Sequence, residues 1–525
     1  MLGMSSEEYK QNYTDIKDLY TKSNEFIGKI IIVKGWVKFF RTSGGKGKSI
    51  AFARLSDGSC TQTLQIIYDI KSLPDDKKTY FDDILKRGKR GISISTTGLI
   101  VKSPKAEQPI EMQAHEYEIF GDLMDPDTYP ISKNELTLEY LRTIPHLRTK
   151  DDVFSAIMRV KSAMRFAVAN YFNKYGFFEV QVPCITDNEC ESGANPFQVT
   201  TTTSDSKIST IPTKSDDKDS IDFFKDFFRK RVYLTVSGQL HLEAMALALS
   251  KVWTMTTAFR AEPSMTQLHM GEFWMLELEF CFGTLKDNIK VNEECIKYCI
   301  KHVLENCKSE LELFQSKFNP KLIEKLQKYA DTPFVITTHE ECVKSMLADI
   351  ESGKVKIDSN KKFGDDIHVF KEIPKYDDDF TKDHEKYITG VLHGGMPVFV
   401  CWYPAQIKAF YMPKINKGEP IEKVDNFDLL FENIGEVAGG SQRETNHTEL
   451  ISRMHEMGIK PETLEFYSDL RKYGTVPHGG SGIGFDRLML VITGLNNIRD
   501  MIHHQQLHFD NIYVYHFDNY QLNLY

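Results

Sequence analysis

Phe259-Arg-Ala-Glu-Pro-Ser-Met-Thr-Gln-Leu-His-Met-Gly-Glu-Phe-Trp-Met-Leu-Glu-Leu-Glu-Phe280 is the stretch whose reading decides the fold. Its second half alternates. Trp274, Leu276, Leu278 and Phe280 fall on one strand face, while Glu277 and Glu279 fall on the other. Arg260 and Glu262 share a face in the same way. Two strands joined by a polar loop then present a cation and several carboxylates together, as in an antiparallel sheet with one face packed. Alternation by itself favours the plainer reading, an amphipathic hairpin with a solvated outer face.

Outward from this hairpin the chain changes character in both directions. Upstream, Ile30-Ile-Ile-Val-Lys-Gly-Trp-Val begins a series of short strands with turn residues every ten or so positions, continuing to about Phe120, which predicts a small β-barrel over 26–120 after an N-terminal extension of 1–25. Asp- and Pro-rich residues 121–137 read as a linker, and a long helix is expected from Asp152 to Tyr175. The second domain is expected to run over 138–502, with polar insertions near 200–220 and 285–365 and a divergent tail over 503–525. The fold class is α+β.

The 525 residues are enough for two or three domains with real cores. Lys plus Arg number 65 against 74 Asp plus Glu, a net charge of -9, so any nucleic-acid contact must be a local patch. Nine cysteines without a paired C-x-x-C spacing argue against a disulfide framework or a four-ligand zinc site. No apolar run approaches the roughly 18 residues of a membrane span, and the acidic start predicts neither a signal nor a transit peptide. A cytoplasmic location is expected, an organellar one staying open.

Three more segments carry chemistry. Pro477-His-Gly-Gly-Ser-Gly-Ile-Gly-Phe-Asp-Arg487 places four glycines before a helix that opens near Phe485, allowing close backbone approach to a ligand. No βαβ unit with a following acid accompanies it, which excludes a Rossmann reading. Phe427-Asp-Leu-Leu-Phe-Glu-Asn-Ile-Gly-Glu-Val-Ala-Gly-Gly-Ser-Gln-Arg443 offers Asp428 and Glu436 as hard oxygen ligands. Leu234-Thr-Val-Ser-Gly-Gln-Leu-His-Leu-Glu243 joins a strand to a possible pocket wall.

Taken in order, these segments resemble the motifs of the class II aminoacyl-tRNA synthetases, specifically the asparaginyl members of bacterial-like type. The resemblance runs from about Lys29 to Ile502 and includes Gly176-Phe-Phe-Glu-Val-Gln-Val-Pro183, the segment that builds the dimer interface in the family. It implies an OB-fold anticodon domain, a catalytic domain on an antiparallel sheet flanked by helices, a homodimer, and ATP-dependent ligation of L-asparagine to tRNA(Asn). It places Arg260 on the α-phosphate, Glu262 at the adenine, His269 at the outer phosphates and Arg487 on the γ-phosphate, with Mg2+ on Asp428 and Glu436. Glu191, Gln239, Glu243 and Arg443 would bind asparagine, with Glu243 accepting from the side-chain amide; Arg41, Phe52 and Gln65 would read the anticodon. Leu242 stands where the aspartyl enzymes carry a lysine, which favours asparagine over aspartate.

Three departures keep two alternatives open, an aspartate-specific ligase and a weak or inactive RNA-binding paralogue. Leu268 stands where the family carries an arginine on the ATP phosphates. The Glu191 loop reads Glu-Ser-Gly-Ala-Asn-Pro instead of Glu-Gly-Ala-Gly-Glu, and the resemblance stops after Ile502, short of the family's Pro-Phe-Pro-Arg end.

Overall fold

The computed structural model describes residues 12–43, 50–69, 71, 78–104, 108–132, 136–188, 195–202, 211–214, 220–262, 266–361 and 366–503. Two compact units divide the chain: Met1–Val160 with Cys307–Lys317, and Lys161–Asn306 with Phe318–Tyr525.

In the first unit, β1 (Ile30–Ser43), β2 (Ile50–Ser56), β3 (Leu64–Asp69), β4 (Ser93–Lys102) and β5 (Ile110–Gly121) close into a barrel in the order β1-β2-β3-β5-β4. Alternate residues fill it: Val33, Val37, Ala51, Ala53, Leu55, Leu64, Ile66, Ile94, Ile100 and Met112 are buried. Gly98 is required at the crossing of β4 and β5, because a Cβ there would strike the Gln113 carbonyl. The N-terminal barrel expected from the spacing of short strands is therefore present.

The second unit is built on one large sheet. Its strands are β6 (Phe178–Glu179), β10 (Lys251–Phe259), β11 (Glu272–Cys281), β12 (Val335–Thr338), β15 (Val398–Cys401), β16 (Asn426–Phe431), β17 (Gly435–Gln442) and β18 (His478–Gly484), ordered β12-β15-β16-β17-β18-β11-β10-β6. Two small sheets accompany it: β7 (Ile185–Thr186), β8 (Gln198–Val199) and β9 (Val232–Leu234), and the pair β13 (Lys356–Ile357) and β14 (Val369–Phe370). The six central strands are antiparallel, as expected. The two outermost pairings, β10 with β6 and β12 with β15, are parallel, so the sheet is mixed. Short strands such as β6 and β12 carry too few residues to show their direction by periodicity.

Residues 285–365 are more than a polar insertion. Helix Leu285–Asn306 buries Ile289, Ile296, Ile300 and Val303, and β12 forms an edge of the main sheet. The polarity that suggested an insertion includes Asn288 and Asn292, both fully buried. The Asn288 amide donates to the Gly480 carbonyl (2.8 Å) and the Asn292 amide to Ser481 Oγ (2.8 Å), so two polar side chains satisfy the groups they meet on β18. The stretch expected as an insertion near 200–220 lies largely outside the described residues.

His339 opens helix His339–Glu351, stacked on Phe380 (4.5 Å) and packed against a tilted Tyr403 ring (4.9 Å), with Nε2 3.0 Å from the Asp378 carbonyl. Burial pushes its imidazole down from 6.5 to about 4, with Asp379 opposing and Lys408 and Lys423 assisting. Between those values the unfolded chain takes up a proton that the folded chain refuses, so stability falls as pH drops from 6.5 to 4 and loses nothing more below. His339→Phe is expected to remove this component, at most about 3 kcal/mol, which urea unfolding of both proteins at about pH 7 and about pH 4.5 measures.

Candidate active site

The site forms where the hairpin, β18, β17 and β16 lie side by side. Register brings Glu277 opposite Gly482, Gly482 opposite Gly439, and Gly439 opposite Asp428. One row across the sheet thus carries an acid at each end and glycine between them. With no side chains over its middle the sheet leaves a cavity of ≈ 590 Å³, lined by Gln239, Leu242, Arg260, Asp428 and Arg443 among others.

On its inner wall Arg443 is clamped. Its Nε and Nη2 donate to the two oxygens of Glu279 (3.1 and 2.9 Å), and Nη1 donates to Ser441 Oγ (2.5 Å). Gly480 leaves room for the Glu279 carboxylate, since a Cβ there would collide with it. Glu277 accepts from Ser237 Oγ (2.5 Å) and the Gly238 amide (3.0 Å), which fixes the start of helix Gln239–Leu249. Glu277 and Glu279 are buried and bonded, so the face they share is not a solvated one, while Glu262 and Glu272 stay exposed.

Glu243 sits behind this wall, fully buried. Its oxygens accept from Gln239 Nε2 (3.0 Å), Tyr467 Oη (2.8 and 3.0 Å) and Arg471 Nη2 (2.8 Å), with His478 Nε2 at 3.2 Å and Arg443 Nε at 3.6 Å. Burial works to raise this carboxyl, but Arg471, His478 and Arg443 hold it well below the usual carboxylate range. The expected contact from Glu243 to a substrate amide is thereby corrected: its acceptors are already taken, and it positions Gln239 and Arg443, which do face the cavity. Sequence reasoning does not single out Tyr467, Arg471 and His478. They reach Glu243 only through space, from more than 200 residues away along the chain.

A second cavity of ≈ 250 Å³ is lined by Arg260, Glu262, Leu268, His269, Phe273, Met275, Glu436, Gly484 and Arg487 among others. Arg260, Met275, Glu436 and Gly482 line both cavities, so the two adjoin and Arg260 stands at the seam. Its guanidinium lies over the Phe273 ring at 5.3 Å. Arg487 is in the first turn of helix Phe485–Thr493 and donates to the Glu436 carbonyl at 2.7 Å. His269 Nδ1 lies 2.5 Å from Thr266 Oγ1, and burial followed by the charges of Arg487 and Lys382 pushes its imidazole below the ordinary value.

Asp428 and Glu436 converge beside Gly439, where a Cβ would sit 3.5 Å from Asp428 Oδ1 and 3.1 Å from Glu436 Oε1. Burial pushes Asp428 up to about 6, against Lys408, whose Nζ lies 2.6 Å away. Two hard carboxylates, Asp428 on the large cavity and Glu436 on both, are the kind of ligands that suit Mg2+. Among the described residues no group of three or more His, Cys, Asp or Glu forms a self-sufficient metal cage.

In the first unit Arg41 lies over the Phe52 ring at 4.9 Å, and Phe52 points away from the core formed by its neighbours Ala51 and Ala53. Gln65, on the adjacent strand, donates to Glu111 at 3.1 Å. Glu191 lies outside the described residues, as does the tail beyond residue 503.

Residues 137–507 match the family model for class II tRNA synthetases (D, K and N). An asparagine–tRNA ligase of Treponema denticola is 38% identical over 489 residues, covering 93% of this chain and 97% of the relative. The chain belongs to the asparaginyl-tRNA synthetase family of class II synthetases. A Cytophaga hutchinsonii asparagine–tRNA ligase is 39% identical over 93% of this chain and 97% of its own length. The crystal structure of the asparaginyl-tRNA synthetase of Pyrococcus horikoshii complexed with asparaginyl-adenylate superposes with a TM-score of 0.73 at 28% identity, covering 94% of this chain and 97% of that one. Membership in this synthetase family gives the two adjoining cavities a common reading. Among the described residues no helix is long and apolar enough to cross a membrane.

Proposed function

We infer that the protein is an asparagine–tRNA ligase whose reaction runs across the seam at Arg260. One observation carries this reading: the cavity holding Gln239 and Arg443 and the cavity holding Glu262, His269 and Arg487 adjoin, and Arg260 is the arginine they share. The carboxylate of asparagine attacks the α-phosphorus of ATP, forming a mixed anhydride and releasing pyrophosphate. A hydroxyl of the terminal adenosine of tRNA(Asn) then attacks the asparaginyl carbonyl carbon, and AMP leaves.

Arg260 meets the charge that builds on the α-phosphate, and the flat face of Phe273 offers the purine a stacking surface. Glu262 accepts from the adenine amino group, while His269 and Arg487 take the outer phosphates. Asp428 and Glu436 would hold Mg2+, which neutralises phosphate charge when bound. Glu191 binds the α-ammonium group, and Gln239 helps to position the amino acid.

Side-chain selection follows from charge balance. Glu279 and Glu243 offset Arg443 and Arg471, and Glu277 adds a further buried carboxylate to the wall, so no spare positive charge is left there. A neutral amide can accept from Arg443 without upsetting that balance, whereas an aspartate carboxylate adds an uncompensated charge beside two buried acids. Leu242 supplies no cation to offset it.

In the barrel, Phe52 and Arg41 provide an aromatic and cationic face for unpaired anticodon bases, with Gln65 beside them. A homodimer through Gly176–Pro183 is supported by Phe178, 58% exposed on edge strand β6, and Phe166, 66% exposed. Sedimentation as a monomer at micromolar concentration would remove that part of the reading. The cytoplasm is the proposed location, tested by imaging a fusion with a free N-terminus.

Asparagine-dependent ATP–pyrophosphate exchange by the purified protein is the expected result. Exchange with aspartate alone overturns the specificity, and exchange with neither amino acid favours the inactive paralogue, for which Leu268 on the nucleotide wall is the supporting observation.

A further inference from the structure

The nucleotide cavity is short of cations for a triphosphate. Leu268 lines it without bringing a charge, and burial together with Arg487 and Lys382 keeps His269 an uncharged donor near neutral pH. Arg260 and Arg487 are the fixed positive charges on its wall, set against the carboxylates of Glu262, Glu436 and Asp486. A third approaches from helix Lys382–Tyr387, which Thr381 and His384 anchor as a capping box.

That helix is tied to the nucleotide wall at Glu385. Its carboxylate packs so closely on Gly435 that a Cβ there has no room. The next residue, Glu436, lines both cavities and receives Arg487 on its carbonyl. Lys382 lies three positions before Glu385, and residues so spaced share one helix face. The positive field of Lys382 reaches both His269 and Arg487, the two side chains at the outer-phosphate end. Burial first, and then the nearby charges of Arg487 and Lys386, disfavour the Lys382 ammonium, with Glu385 opposing. Like charges gathered at the end of a cavity are stabilised by an anion placed among them.

We propose that Lys382 is a phosphate-binding residue whose ammonium takes an oxygen of the outer phosphates of ATP, where Leu268 offers none. This rests on the reading of the second cavity as the ATP site. It adds a cation from a segment otherwise rich in Asp and Lys, and it accounts for how the site tolerates leucine at position 268.

Isothermal titration calorimetry of the full chain with ATP, and separately with AMP, tests it. Lys382→Gln is expected to weaken ATP by about tenfold or more, the size of one charge-assisted contact, while AMP binding stays at the wild-type level and shows that the variant is folded. Lys382→Arg is expected to keep most of the ATP affinity, and adding Leu268→Arg to Lys382→Gln to recover it. Equal losses for ATP and AMP, or no loss for either, overturn the proposal. A wild-type protein that binds ATP but shows no asparagine-dependent exchange defeats the ligase reading instead, and the ATP-to-AMP ratio still judges Lys382.

Discussion

Glu243→Ala is expected to cost about 3–5 kcal/mol of folding free energy, the range for removing one partner of a buried charge network. The loss arises from what is left behind. Arg471, fully buried, loses the carboxylate that accepts its Nη2 proton, and Tyr467 Oη and His478 Nε2 lose the same acceptor. Urea unfolding at about pH 7 measures the shift in midpoint. Glu243→Gln should fall between wild type and alanine, because an amide oxygen still accepts from Tyr467 while the charge is gone. The pH dependence has a definite sign. Because the folded-state pKa of Glu243 is depressed, its contribution is fully present above the ordinary carboxylate value and is lost as pH falls through the folded value. Asparagine-dependent exchange should fall in the alanine variant even where it remains folded, since Gln239 loses the acceptor that orients it and Arg443, still held by Glu279, loses a second neighbouring carboxylate. A wild-type midpoint for Glu243→Ala would show that Glu279 alone stabilises the wall.

The parts of this site that are local along the chain are legible in the sequence alone. Strand alternation separates Glu277 and Glu279 from Leu276 and Leu278, and the fold keeps that division. The glycines of 477–484 announce a close backbone approach, which the floor of the large cavity uses. Alternation also leaves the environment of a face undecided: it cannot tell a solvated acid from one buried against arginine or a helix start, and Glu277 and Glu279 are of the buried kind. The Glu243 network joins residues 224 to 235 positions apart, a relation that no spacing rule reaches. The region near 285–365 reads as a polar insertion because composition does not record that Asn288 and Asn292 bond groups on β18. Lys382 is hidden for a similar reason, one lysine in a stretch of acids and lysines until the helix places it on the face of Glu385, whose carboxylate packs on Gly435.

Arg260→Ala is expected to lower kcat for pyrophosphate exchange by about 10² to 10³, the range for losing one preorganised donor to a charge that develops during reaction. Position decides why this arginine should outweigh its neighbours. His269 and Arg487 line the nucleotide cavity alone, so their interactions with the outer phosphates exist before reaction and bear chiefly on ATP affinity. Arg260 lines both cavities, where the new bond between carboxylate and α-phosphorus must form. The Phe273 ring beneath its guanidinium limits its freedom, which lowers the reorganisation needed as charge builds. Arg260→Lys should recover only part of the rate, since a point charge lacks the planar fork that can hold two oxygens at once. Steady-state kinetics distinguish the cases: the alanine variant should lose kcat with a modest change in the KM for ATP, and His269→Ala should show the reverse. An Arg260→Ala protein with intact kcat and a raised KM for ATP would reduce this arginine to a ground-state binding contact and move the origin of the acceleration elsewhere in the site.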